Sequence, residues 1–158
     1  MLKTLLGGVD LCAIPSIDES NAVAFISEVG TDMGKWKSGN HFAAWLNLAP
    51  NTKITGGKVI NCRMEKKKNH AGQILRLAAS TLTRNKSPLG DYARKMRARL
   101  GKRSGKVAVA HKLALIIYSM LKNGEPFDEN RMKIQEEHLR LKKIKFLEKQ
   151  LEKLKNAA

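Results

Sequence analysis

Residues 107–124 read VAVAHKLALIIYSMLKNG. At 3.6 residues per turn this is about five turns of helix, apolar on nearly every side. Gly124 and Pro126 stop it. A helix that is apolar all round has to be enclosed by other elements. Residues 107–124 are therefore the expected central core helix, and the remaining segments must supply amphipathic faces to cover it. Only 5% of the residues are aromatic although 42% are hydrophobic, so that core rests on Leu, Ile, Val and Ala. Helix formers dominate, and the expected fold is mainly α.

The covering segments can be read in order. Residues 1–15 form a short helix or turn ending at Pro15. In IPSIDESNAVAFISEVG, Ser16 or Asp18 can cap a helix whose apolar face holds Val23, Phe25, Ile26 and Val29, with Gly30 ending it. This start is helix-hairpin-helix-like, an arrangement that offers backbone N–H groups to phosphate. Ser16, Asp18 and Glu19 stand where glycines and neutral residues are usual, so DNA contact and simple core packing both remain open. A helix from about Asn40 to Leu48 turns Phe42, Trp45 and Leu46 inward. NHAGQILRLAASTLTRN gives another, with Ile74, Leu75, Leu77, Ala78 and Leu82 inside and Arg76 and Arg84 at the polar edge. SPLGDYARKMRARLG is a further helix, with Pro88 in its first turn and Arg94, Lys95, Arg97 and Arg99 outside. KRSGK then reads as a basic loop.

From Asp128 the texture changes to Glu, Lys and Leu without glycine or proline. The expected organisation is a helical domain at 1–127 and a separable charged helix at 128–158. Ile144, Leu147, Leu151 and Leu154 make a stripe of two heptads. That is short for a coiled coil, so a surface helix and a weak homo-oligomerisation helix are the two expectations.

The one strand-like stretch is residues 51–68. NTKITGG precedes KVINCRM, with β-branched Val59 and Ile60, and a hairpin or ordered loop is expected near 52–64. The basic run EKKKN closes it.

Thirty bases face fourteen acids, for a formal net charge of +16 and a pI near 10.1. Such an excess repels itself unless a polyanion shares it. Nucleic acid is the first expected partner and an anionic membrane surface the second; a ribosomal or nucleoid protein would look similar at this level. The start, MLKTLLGGVDLCAI, is interrupted by Asp10 and too short to span a bilayer, so the expected location is the cytoplasm and no membrane partner is implied. Cys12 and Cys62 match no metal spacing and read as two free thiols of a reducing compartment.

Several chemistries lack their residues. ITGGKV has glycines and a lysine but not the longer span ending in Gly-Lys-Ser/Thr that a nucleotide-binding loop needs. The histidines show no ligand-type partner four residues on, and the acids form no metal-binding cluster. What remains is the Thr55 hydroxyl on a glycine turn set among bases. Gly56 and Gly57 let backbone approach a phosphodiester, while Lys58, Arg63, Lys66, Lys67, Lys68, Arg94, Arg97, Arg99, Lys102 and Arg103 offset phosphate charge. The arrangement suits attack on phosphate and equally suits binding without reaction.

GVDLCAIPSIDESNAVAFISEVGTDMGKW, HFAAWLNLAPNTKITGGKV, RLAASTLTRNKSPLGDYARKMRARLGK and VAVAHKLALIIYSMLKNGEPFD, in that order, together resemble the C-terminal domain of insertion-sequence transposases of the IS one-ten type. Full-length members pair it with a RuvC-like DEDD domain. The resemblance implies a serine directly before the two glycines that attacks DNA and forms a covalent phosphoserine link. That position falls on Thr55, which keeps a hydroxyl and adds a methyl. The resemblance also implies a divalent metal, magnesium, held on the DEDD half, and a guide RNA encoded by the element. No cofactor is expected in this chain itself. The chain begins at Met1 just before the domain, so the expectation is a truncated transposase or a fragment of an interrupted frame, inactive alone and partnered by the DEDD half or an intact transposase. The alternative expectation is a non-catalytic remnant that binds nucleic acid and regulates intact transposase by co-assembly.

Overall fold

The computed structural model describes residues 6–50, 53–61, 64 and 67–155. The chain divides into two units, Met1–Phe127 and Asp128–Ala158. The first is mainly α, as its composition demands. It holds α1 (Glu19–Val29), α2 (Gly39–Trp45), a two-stranded antiparallel hairpin of β1 (Lys53–Thr55) and β2 (Lys58–Asn61), α3 (His70–Leu82) and α4 (Pro88–Asn123). Single 3-10 turns at Leu11–Ala13 and Met33–Lys35 lie before α1 and α2.

Each start is fixed by a short polar side chain that takes up an otherwise orphaned N–H group. Asp10 and Asp32 cap the 3-10 turns. Asp18, Ser38, Asn69 and Ser87 cap α1 to α4.

Within the first unit, α3 and α2 pack along α4, and α1 packs on α3. The second half of α4 is the core helix read from the sequence, burying Val109, Ala110, Leu113, Ala114, Ile117, Tyr118 and Met120. Around its far end Phe25, Trp36, Phe42, Trp45 and Tyr118 gather. Phe42 is fully buried, with Trp36, Phe25 and Tyr118 rings 4.7, 6.3 and 5.8 Å from it. The Tyr118 hydroxyl donates to the Trp36 carbonyl at 3.0 Å and accepts from Lys122. Its polar end is thus satisfied where its ring is buried.

Three details differ from the sequence expectation. Val23 and Leu77 are 49% and 59% exposed. The buried face of α1 runs Ala22, Phe25, Val29, and Val23 is rotated about 100° from Ala22. Leu77 stands about 200° around the helix from fully buried Leu75. The third difference is larger. KRSGK is helical. The chain reverses at the single residue Gly101, whose φ of 80° and ψ of 174° break α4 into segments 88–100 and 102–123. Only glycine enters that region without strain, so one residue does the work of a loop. At this elbow the two segments touch closely: a Cβ on Gly105 would lie 2.8 Å from the Arg97 Cα.

The second unit is one helix, α5 (Glu129–Lys155), started by the Asp128 carboxylate accepting from the Asn130 N–H. Leu141, Ile144, Phe146, Leu147 and Leu151 are all exposed on it. The Leu154 side chain lies outside the described residues.

Candidate nucleic-acid interface

The ITGGK stretch folds as a hairpin with a two-residue loop. Thr55 pairs with Lys58 and Ile54 with Val59, while Lys53 pairs with Asn61, which leaves Ile60 as the extra residue of an irregular register. Gly56 and Gly57 have φ of 56° and 74°. Positive φ at both central positions is what a type I′ turn requires, and that turn matches the twist of paired strands. Added side chains would meet nothing within 4 Å at either glycine. Ile54, Thr55, Gly56, Gly57, Lys58 and Ile60 are all exposed, the two isoleucines at 63% and 68%. The hairpin is therefore an arm, with the Thr55 hydroxyl at its tip.

The arm is held at its root. Asn47, just past α2, is 7% exposed and sits at φ 55°, a left-handed conformation that asparagine tolerates better than most residues. Its side-chain amide donates to the Lys67 carbonyl at 2.9 Å. Asn69 donates to the Trp45 carbonyl at 3.1 Å, and the Arg76 guanidinium donates to the Asn47 carbonyl at 2.5 Å. Burial holds the Arg76 pKa below its ordinary value. These bonds join segments 20 to 29 residues apart, so the chain before the hairpin and the chain after it are tied to each other at one place. Arg76, expected at a polar edge, is instead a half-buried part of this root.

The basic residues fall into two groups. Lys58 stands at the arm's tip, and Lys67 and Lys68 are exposed at its root. Arg63 and Lys66 lie outside the described residues, as does Cys62. The second group surrounds the elbow, where Arg97, Arg99, Lys102 and Arg103 are exposed. The structure adds Lys106, which shares a cleft with Arg97 and Lys102. Lys106 was missed in the sequence because KRSGK looked like a loop, and a loop has no face. Arg94 differs from its neighbours. Its guanidinium donates to the Thr83 and Asn85 carbonyls and to Asp91, closing the turn between α3 and α4. No hydrogen bond or ion pair among the described residues joins the arm to the elbow.

Other candidate groups have structural partners. Asp18 fills the N-terminus of α1 by accepting from the Asn21 N–H at 2.7 Å. Ser16 makes the preceding turn at φ 75°. That helix start meets solvent with a carboxylate, which favours its packing role over phosphate contact. His70 pairs with Glu28 at 3.1 Å, tying α3 to α1. Cys12 is a free thiol whose pKa is pushed up by burial and then by Asp10, Glu19 and Asp18, so it is a poor nucleophile. His111 is half-buried, and burial together with Lys112 lowers its pKa.

Among the described residues no three His, Cys, Asp or Glu side chains come together to hold a metal ion. α4 is long and apolar enough to cross a membrane, but its apolar face is the core just described and Gly101 breaks it.

A family model described as the transposase IS116/IS110/IS902 family matches residues 10–94, more than half of the chain. That span runs from the first 3-10 turn through the arm to the first segment of α4. No curated protein matches the chain.

Proposed function

The chain belongs to the transposase IS116/IS110/IS902 family, and on that premise we propose that it binds DNA and presents Thr55 as the nucleophile of strand cleavage. The exposed hydroxyl at the tip of a rooted, glycine-turned arm is the observation that carries this reading. A nucleophile that must reach a backbone phosphorus needs clearance around it, and the two glycines provide it. Lys58, one step beyond the turn, offsets charge on the phosphoryl oxygens.

In the step proposed, Thr55 Oγ1 attacks phosphorus. An Oγ1–P bond forms as the P–O bond to one strand end breaks. The released DNA hydroxyl takes up the proton that threonine gives up, so the phosphodiester count is conserved and the link can be reversed. In this reading the metal chemistry is the task of a DEDD domain and not of residues 1–158, so residues 1–158 need that domain for the reaction. A guide RNA is a further partner in this reading, and the setting is the cytoplasm.

The test incubates the chain with element-end DNA, Mg²⁺ and a separately supplied DEDD half, and looks for a covalent protein–DNA adduct. Adduct should form with both halves, rise in Thr55→Ser as crowding at the hydroxyl eases, and vanish in Thr55→Ala. DNA affinity should stay within about two-fold and stability within about 0.5 kcal/mol, as for an exposed side chain without buried contacts. An adduct that survives Thr55→Ala would place the nucleophile elsewhere. DNA binding with no adduct in any combination would favour the non-catalytic regulator.

A further inference from the structure

The elbow in α4 makes a cleft of about 80 Å³ against α3. Its floor is Ala79, Ala93 and Val109, all buried. Its rim carries Arg97 from one segment and Lys102 and Lys106 from the other. We propose that this cleft seats a single backbone phosphate of nucleic acid, as an anchoring point separate from the arm. The proposal rests on the nucleic-acid reading above and deepens it.

Three observations converge on an anion. First, no hydrogen bond or ion pair among the described residues engages the side chain of Arg97, Lys102 or Lys106, although the Arg94 guanidinium one turn earlier is engaged three times. Three like charges at one opening repel each other, and an anion among them relieves this. Second, the close approach at Gly105 is what brings these cations around one opening, since any side chain there would push Arg97 away. Third, the floor is apolar, which strengthens the attraction above it relative to open solvent.

Size selects the anion. The cleft exceeds the roughly 10–15 Å³ that one water needs on the same measure. It falls well short of the about 300–1,000 Å³ of pockets that engulf whole small-molecule ligands. It admits a tetrahedral phosphate and leaves the attached sugars and bases outside. The hydroxyls on the α3 side already donate within their own helix, Ser80 to the Arg76 carbonyl and Thr83 to the Ser80 carbonyl. Donation to the phosphate thus falls to the guanidinium and the two ammonium groups.

Salt dependence distinguishes one shared phosphate from independent surface charges. On duplex DNA each phosphate neutralised contributes about −0.9 to the slope of log affinity against log salt. If Arg97 and Lys106 hold the same phosphate, Arg97→Gln, Lys106→Gln and the double variant should each flatten the slope by only about 0.9. If each meets its own phosphate, the double variant should flatten it by about 1.8. Ser80→Leu, which blocks the rim and removes no charge, should act like Arg97→Gln, with circular dichroism confirming the fold of each variant. Additive slopes or a silent Ser80→Leu overturn the cleft while leaving nucleic-acid binding intact. A protein that binds no duplex at any salt overturns the broader reading as well. Addition of inorganic phosphate alone, followed by amide shifts at 102–106, separates a free oxyanion site from a backbone anchor: shifts at low millimolar phosphate with no slope change in the variants would overturn the anchor.

Discussion

At residues 53–61 the backbone is held by two short strands and a glycine pair, while at residues 93–109 it is held by segments packed face to face. Both regions carry unpaired positive charge. The arm is exposed on every described side chain, and an isolated two-stranded hairpin is marginal in water. Its position comes from the root at Asn47, Asn69 and Arg76, not from its own packing. The elbow is the reverse: Gly105 lies against the backbone of Met96 and Arg97, and the elbow's cations are placed by the core beneath them. One scaffold suits a group that has to move onto a substrate. The other suits a group that has to be in place beforehand.

The largest expected effect is at the elbow. In Gly105→Val the new Cβ would sit 2.8 Å from the Arg97 Cα and 2.9 Å from the Met96 carbonyl oxygen, both backbone atoms that cannot swing aside. Overpacking of this kind costs about 1–3 kcal/mol. Chemical denaturation should show the loss as a lower midpoint at unchanged slope, and weakened nucleic-acid binding should accompany it. An unchanged midpoint would mean that the two segments of α4 do not cross there.

Much of this contrast was legible in the sequence, and the remainder was hidden for physical reasons. Two central glycines beside β-branched residues pointed to a hairpin or an ordered loop, and the structure has the hairpin. The apolar run at 107–124 announced the core. The elbow stayed hidden because a single glycine at 101 looks like the start of a loop when lysine, arginine and serine follow it; only its φ shows that helix resumes at the next residue. The root stayed hidden because its bonds span 20 to 29 residues, and no local pattern encodes them. Its one available signal was a pair of asparagines, Asn47 after a helix and Asn69 before one. Val23 and Leu77 were misplaced because a run of apolar residues wider than the buried stripe leaves some of them outside.

The root should be the next most sensitive point. Asn47→Ala removes the bond to the Lys67 carbonyl and puts alanine at φ 55°. Leaving a part-buried acceptor unsatisfied costs about 1–3 kcal/mol. The sharper readout is local, because limited proteolysis should cut the hairpin at 53–61 faster while the helical body persists. If cleavage there is unchanged, the arm is held by something other than its root.

The body should also respond to pH where the arm does not. Folded His111 takes up a proton less readily than the unfolded chain, because burial and then Lys112 oppose the charged form. Below its ordinary value of 6.5 the unfolded chain binds the proton first. Stability is therefore complete above that pH and is lost as the pH falls toward the lower folded value. Since the imidazole is only half-buried, solvent screens much of the effect and the loss should be modest. Denaturation curves between pH 7.5 and about 5 should show it, and His111→Gln should flatten that part of the profile. An equal slope in the variant would assign the pH dependence to another group.

The smallest effect on stability should come from the arm's own turn. Gly57→Val forces a β-branched residue into φ 74°, a conformation that L side chains rarely adopt, yet nothing lies within 4 Å for it to strike. The strain stays in two strands that carry little of the folding energy, so the unfolding free energy should change by no more than about 0.5 kcal/mol. Activity should respond far more, because the turn aims the Thr55 hydroxyl. Loss of the covalent adduct with melting and DNA affinity retained would show an arm that is independent of the body for stability and indispensable for chemistry. A large drop in melting temperature would mean that the hairpin is part of the core after all, and the contrast between the two scaffolds would fail.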